Sequence, residues 1–263
     1  MKIAFQMDPI EPIDITADST FRLAEEAQAR GHELFYYTPD HLAYQEGRLT
    51  AKGWPLKVQR VLGDHAILGP QAEVNLADFE VIWLRQDPPF DMHYITTTHL
   101  LERVHPDSLV VNNPFWVRNY PEKLSVLEFP DLTPPTTIAR DLDTIKAFKA
   151  RHSDVILKPL YGNGGAGVFR LDAQDRNLSS LHELFTGFSR EPLIIQKFLP
   201  AVSQGDKRVI LVDGVAVGAI NRIPAKGETR SNMHVGGRPE KVSLTERDLE
   251  ICTRIGPILL SLI

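Results

Sequence analysis

Residues Asp154–Leu171 read DVILKPLYGNGGAGVFRL. Val155-Ile156-Leu157 has the composition of a strand and delivers one lysine, Lys158, at its end. A turn bearing Gly162, Gly164, Gly165 and Gly167 follows, and the chain then runs into Val168-Phe169-Arg170-Leu171, a second strand-like segment. Glycine turns of this kind let backbone N–H groups approach a phosphate with no Cβ in the way. The context excludes two common nucleotide motifs. A P-loop places Gly-Lys-Ser/Thr at the opening of a helix, and no lysine follows these glycines. A dinucleotide fingerprint also opens a helix, whereas Pro159 precedes these glycines and Asp172 closes a short strand. What remains is a glycine hairpin between two strands with a lysine on its first arm. An ordinary hairpin with a flexible turn satisfies the same residues.

Outward from this hairpin, Leu142–His152 reads as a helix leading in and Leu178–Phe185 as a helix leading out. Pro192–Ile195 is a strand ending in Gln196-Lys197-Phe198-Leu199-Pro200. Gly205-Asp206-Lys207-Arg208 precedes two apolar runs, Val209–Val212 and Val215–Ile220, joined by Asp213-Gly214, a strong hairpin signal. Ala225–Gly237, AKGETRSNMHVGG, has no periodicity and carries Arg230, Asn232 and His234. It reads as a mobile loop of the kind that closes over ligands. Leu244-Thr245-Glu246 opens a helix over Ile251, Ile255 and Leu259.

On the N-terminal side, Lys2–Met7 is a buried strand that stops at Asp8-Pro9. Asp18 or Ser19 caps a helix carrying Phe21, Leu23, Ala24 and Ala27, with Gly31 as its stop. Glu33–Tyr37 and Val81–Leu84 are further strands, and this order predicts a parallel, doubly wound sheet. Ligands of open α/β sheets sit outside the carboxyl ends of the strands, where Asp8 and Arg85 fall. A solvated strand end accounts for the same residues. Tyr94–Arg103 reads as a helix and Leu109–Val111 as a strand, and Pro130, Pro134 and Pro135 mark a linker. The boundaries expected are residues 1–120, 121–198 and 199–263.

A net charge of −5 without a stripe of Lys and Arg argues against a nucleic-acid partner. The single cysteine, Cys252, allows no internal disulfide and fits a reducing compartment as a buried, inert thiol. MKIAFQMDPI is broken by Gln6 and Asp8 and is no signal peptide, and no apolar run reaches the about 18 residues of a membrane span. A cytoplasmic protein is expected.

Taken together, the motifs resemble those of the bacterial glutathione synthetases, a family of ATP-grasp ligases. The residues carrying the resemblance are Met7–Ile10, Asp18–Thr20, R-x-DPPFD at Arg85–Asp91, Glu122–Leu124, LKPL-x-G-x-GG at Leu157–Gly165, GDKRV at Gly205–Val209, Arg222–Pro224 and GETR-x-N at Gly227–Asn232. Each is weak alone; in this order and spacing they are specific. The resemblance implies an α/β protein with a doubly wound N-terminal domain, followed by an ATP-grasp domain whose glycine loop forms a lid. It implies that ATP phosphorylates the cysteine carboxylate of γ-glutamylcysteine, and that the amine of glycine then displaces phosphate to give glutathione.

By the same resemblance, Lys123 and Lys158 are the cations for the ATP phosphates, and the amides of the turn at Gly162, Gly164 and Gly165 cover them. Gln196, Lys197, Phe198 and Leu199 would read adenine, and Asp206 the ribose. Arg208 and Arg222 would stabilise the acyl phosphate or the transferring phosphoryl group, a task suited to the planar, always-charged guanidinium, and Arg230 would belong to the loop that closes over the site. Asp18, Ser19, Arg85, Asn232 and Gly237 would hold the substrates. Mg2+, with Mn2+ as a substitute, and a homo-oligomer are also implied.

The family pattern continues past the last helix to a strand Asp and a Glu-x-Asn that hold the metal. The sequence stops at Ile263, so no metal ligand is expected in this chain, and the last ATP-grasp strands are expected to be missing. This keeps two alternatives open: another ATP-grasp peptide ligase, and an inactive ATP-binding fragment or pseudoenzyme.

Overall fold

The computed structural model describes residues 1–228, 230–233 and 236–261. Thr229 and His234 of the long loop therefore lie outside the described residues, as do the last two positions. The chain divides into two compact units, Met1–Tyr120 and a second that begins at Pro121.

The first unit runs β1 (Lys2–Met7), α1 (Ser19–Ala29), β2 (Glu33–Tyr37), β3 (Leu42–Gln45), β4 (Arg48–Val58), β5 (Ala66–Leu68), β6 (Ala72–Asn75), β7 (Val81–Arg85), α2 (Met92–Leu101), β8 (Leu109–Val111) and α3 (Pro114–Asn119). The strands β2-β1-β7-β8 are parallel neighbours. Strand β4 adds antiparallel to β2, and β3, β5 and β6 all pair with β4. Alternation along β1 explains the double winding. Ile3, Phe5 and Met7 pack with Phe21, Ala24 and Ala27 of α1. Ala4 packs instead with Ile82, Leu84 and, from α2, Leu101. Helix α1 begins where Asp18 accepts from the Phe21 amide at 2.6 Å, an ordinary N-cap.

The second unit runs α4 (Glu122–Ser125), β9 (Thr136–Ala139), α5 (Leu142–His152), β10 (Val155–Pro159), β11 (Phe169–Leu171), α6 (Leu178–Phe188), β12 (Leu193–Lys197), β13 (Asp206–Val212), β14 (Val215–Ile223), β15 (Arg238–Lys241) and α7 (Glu246–Leu260). It holds two antiparallel sheets, β11-β10-β12-β9 and β13-β14-β15. In the first, Val155 and Leu157 of β10 turn inward onto Ile145 and Phe148 of α5. The alternate residues Ile156 and Lys158 turn to the opposite face. Helix α7 is opened by a capping box between Thr245 and Asp248, and its Gly256 lies so close to Gly214 that a Cβ would come 2.6 Å from the Gly214 carbonyl oxygen. Cys252 of α7 is buried, as the sequence led us to expect. No helix among the described residues is long and apolar enough to cross a membrane.

Candidate active site

The non-core face of the β10 sheet opens onto a cavity of about 430 Å³. Ile156 and Lys158 come from β10, Gln196 and Lys197 from β12, and Phe198 and Leu199 from the segment after it. Asp206 of β13 and Arg230, Ser231 and Asn232 of the long loop complete the wall. The register places the centre of this wall. Ile156 is directly opposite Gln196, so both project to one face. Gln196 is held in place by donating to the Thr136 hydroxyl at 2.9 Å.

The glycine turn adjoins this cavity through Arg230 and Asn232, which line it and meet Gly165. Gly164, Gly165 and Gly167 all have positive φ, +61°, +85° and +67°, a backbone that non-glycine residues adopt only under strain. Lys123 of α4 donates to the Pro159 carbonyl at 2.9 Å and the Gly162 carbonyl at 2.5 Å, anchoring the turn. Arg230 donates to the Gly165 carbonyl at 3.2 Å and is held by Glu228 at 2.6 Å. A Cβ on Gly165 would meet the Asn232 side-chain oxygen at 2.9 Å, so the loop lies directly against the turn. A Cβ on Gly237 would come 2.1 Å from the Ser231 carbonyl oxygen, and the Gly237 amide donates to Asn232 O at 3.1 Å. Burial pushes the Lys158 ammonium below its ordinary value. Lys123 is pushed the same way, first by burial and then by the charge of Lys158. Two half-buried amines beside a glycine turn make an anion-seeking surface.

Not every expected residue meets this cavity as a free group. Asp206 and Arg222 face each other across the β13–β14 ladder and form a two-armed ion pair at 2.8 and 2.6 Å. Arg208 shares that face of the ladder and is exposed. In the first unit, Arg85 donates from Nε to the Thr20 hydroxyl at 2.9 Å and from its terminal nitrogen to the Ser19 hydroxyl at 2.8 Å. Strand end and helix start are thus tied together, while the Asp18 carboxylate is committed to its cap. Sequence reasoning missed Thr20 as an Arg85 partner, Thr136 as the acceptor that holds Gln196, and buried Ser231 in the cavity. Thr20 is the last residue of the DST run and Ser231 the open position of GETR-x-N, so both lie within motifs that gave them no role.

Family comparison decides what the arrangement belongs to. Residues 1–118 match the prokaryotic glutathione synthetase N-terminal domain, and residues 122–261 match the ATP-grasp domain of the same enzymes. The chain belongs to the prokaryotic glutathione synthetase family. It is 58% identical over 259 residues to the glutathione synthetase of Brucella melitensis, covering 98% of this chain and 83% of that relative. It is 56% identical over 259 residues to that of Mesorhizobium japonicum, with the same coverage, and 41% identical over 261 residues to that of Salmonella typhimurium, again covering 98% and 83%. Among solved structures, a D-cycloserine synthetase superposes with a TM-score of 0.65 at 15% identity, covering 99% of this chain and 82% of that one. A RimK-domain ATP-grasp protein from Sphaerobacter thermophilus gives 0.61 at 18%, covering 97% and 80%. These two likenesses concern the fold alone. The chain is an ATP-grasp ligase, an enzyme that uses ATP, and its family works with a divalent metal. Among the described residues no group of three or more His, Cys, Asp or Glu side chains is disposed to hold a metal ion.

Proposed function

We propose that this chain joins glycine to γ-glutamylcysteine at the expense of ATP, forming glutathione, ADP and phosphate. The observation that carries the proposal is the cavity that Lys158 lines beside a glycine turn anchored by Lys123 and Arg230, in a chain of this family. The cysteine carboxylate attacks the γ-phosphorus and ADP leaves. Glycine's amine then attacks the acyl phosphate, loses a proton and expels phosphate. Such a transfer asks chiefly for placed positive charge.

In this reading Lys123 and Lys158 face the triphosphate, and the amides near Gly162, Gly164 and Gly165 cover it. Gln196, Lys197, Phe198 and Leu199 take the adenine, a reading supported by their place along the cavity wall. Asp206 takes the ribose. Because Asp206 is already paired with Arg222, we assign these two a joint role in setting the floor of the nucleotide site, with Arg208 beside them on the ladder. Arg230, Asn232 and Gly237 belong to the loop that keeps water from the acyl phosphate. Asp18, Ser19 and Arg85 hold the peptide. Mg2+, replaceable by Mn2+, is the metal we assign, the cytoplasm the compartment, and a homo-oligomer the assembly. Each residue range, 1–120, 121–198 and 199–263, acts as a functional segment: peptide side, lid, and nucleotide floor.

The test is a complete assay of the purified 263-residue chain with Mg2+, ATP, γ-glutamylcysteine and glycine, leaving out each in turn. ADP and glutathione formation that needs all three substrates is expected. ADP formation with a different acceptor, and none with γ-glutamylcysteine, would overturn the assignment.

A further inference from the structure

We infer that Arg170 is a positioning residue for the purine end of the nucleotide site, acting through Phe198. This rests on the reading of the cavity as an adenine nucleotide site. Arg170 lies on β11, directly opposite Ile156 of β10, and so projects from the cavity face of the sheet. It does not line the cavity. Its guanidinium carbon stands 4.0 Å from the centroid of the Phe198 ring, and Phe198 does line it. Phe198 is only 9% exposed, so the ring is held between the protein and the guanidinium.

Asp154 fixes the arrangement from both sides. Its carboxylate accepts from Arg170 at 2.8 Å and from the Ala173 amide at 3.1 Å. Its backbone carbonyl accepts from the Phe198 amide at 2.9 Å. One residue therefore sets both the position of the cation and the position of the ring it covers. The brace also spans the sheet: β11 and β12 flank β10 on opposite sides, and Arg170 reaches across β10 to the residue that follows β12. The second arm of the glycine hairpin is thereby tied to the purine wall. A hairpin that moved without Phe198, or a ring free to turn, would present the nucleoside with a poorly ordered surface.

The prediction concerns the nucleoside rather than the phosphates. Calorimetric titration of the full chain would use two probes, ADP and inorganic tripolyphosphate. Arg170→Met, which keeps the aliphatic stem, is expected to weaken ADP by about three- to tenfold, the range of one partly exposed cation–π contact, and to leave tripolyphosphate unchanged. Arg170→Lys, retaining a cation over the ring, is expected to recover most of the loss. In the steady state KM for ATP rises while KM for glycine holds.

Equal ADP affinity in Arg170→Met and the parent would overturn the brace while leaving the nucleotide reading intact. Parallel loss of ADP and tripolyphosphate would also overturn it, since that is the mark of general loosening. Failure of the parent chain to bind ADP at all would overturn the nucleotide reading itself, and the brace with it.

Discussion

Lys123 donates to the Gly162 carbonyl oxygen at 2.5 Å, so the short helix α4 holds the base of the glycine turn by an ammonium group. The same ammonium binds the Pro159 carbonyl. Lys123→Met removes a charged donor from two carbonyls and a cation from the site. Charge-assisted hydrogen bonds contribute about 1.5–3 kcal/mol each. We expect kcat/KM for ATP to fall by about ten- to a hundredfold. Steady-state kinetics with ATP varied checks this, and an unchanged value would remove Lys123 from the phosphate site.

Lys123 and Lys158 both sit below the ordinary lysine value of 10.5. Between those depressed values and 10.5 the unfolded chain holds protons more tightly than the folded one, so stability rises with pH across that window. Phosphate binding favours the protonated amines, so nucleotide affinity falls across the same window. ADP titrations from about pH 7 to about pH 10 are expected to show this decline, and Lys158→Met to flatten it.

Gly165 carries φ of +85° and has the Asn232 oxygen where a Cβ would be. Gly165→Ala meets both costs, and we expect about 1–3 kcal/mol of local strain. Because strain is confined to the seam between turn and loop, KM for ATP should rise more than the thermal midpoint falls. Gly165→Ala combined with Asn232→Ala should recover part of the loss if the side-chain oxygen is the obstacle.

The Asp206–Arg222 pair is a further test. Each arm of the guanidinium meets one carboxylate oxygen, a geometry lysine cannot reproduce. Asp206 is partly exposed, so the coupling between Asp206→Ala and Arg222→Ala in a double-mutant cycle of thermal stability should be modest, about 1 kcal/mol or less. Arg222→Lys should leave stability close to the parent yet depress turnover. Full additivity of the two alanine changes would show that the pair is not a unit.

Arg85 reaches Ser19 and Thr20 in the first unit. If that unit holds the peptide, Arg85→Met raises KM for γ-glutamylcysteine by about ten- to a hundredfold and leaves ADP affinity unchanged, as expected on losing one charge-assisted contact. Calorimetry with ADP beside kinetics with the dipeptide separates the two.

Much of this was legible in the residues. β1, β2, α5, β10 and the glycine hairpin announce themselves because apolar period, cap and glycine all agree there. The antiparallel extension β3–β6 was not read. Strand β4 runs through Gly53 and Pro55, residues that argue against a strand, and it tolerates Gly53 because a Cβ there would come 2.2 Å from the Tyr36 carbonyl oxygen. Strand β15, RPEK, is exposed at all four positions and has no apolar period to betray it. The Asp206–Arg222 contact was hidden by a single irregularity. Counting back from Asp213-Gly214 pairs Val212 with Val215 and would bring Asp206 opposite Asn221, but a register shift at Ile210/Leu211 brings it opposite Arg222. Two residues assigned separate roles therefore turn out to be each other's partner.

Strand β10 alternates between duties. Val155 and Leu157 are fully buried in the core, while Ile156 and Lys158 line the cavity. Its tolerance to mutation should therefore oscillate with a period of two. Changes at 155 and 157 would be rejected for misfolding and recovered by cooling or by stabilising changes elsewhere. Changes at 156 and 158 would leave abundance intact and be rejected for lost turnover, beyond the reach of any stabiliser. Four consecutive residues would thus be guarded by two different kinds of selection.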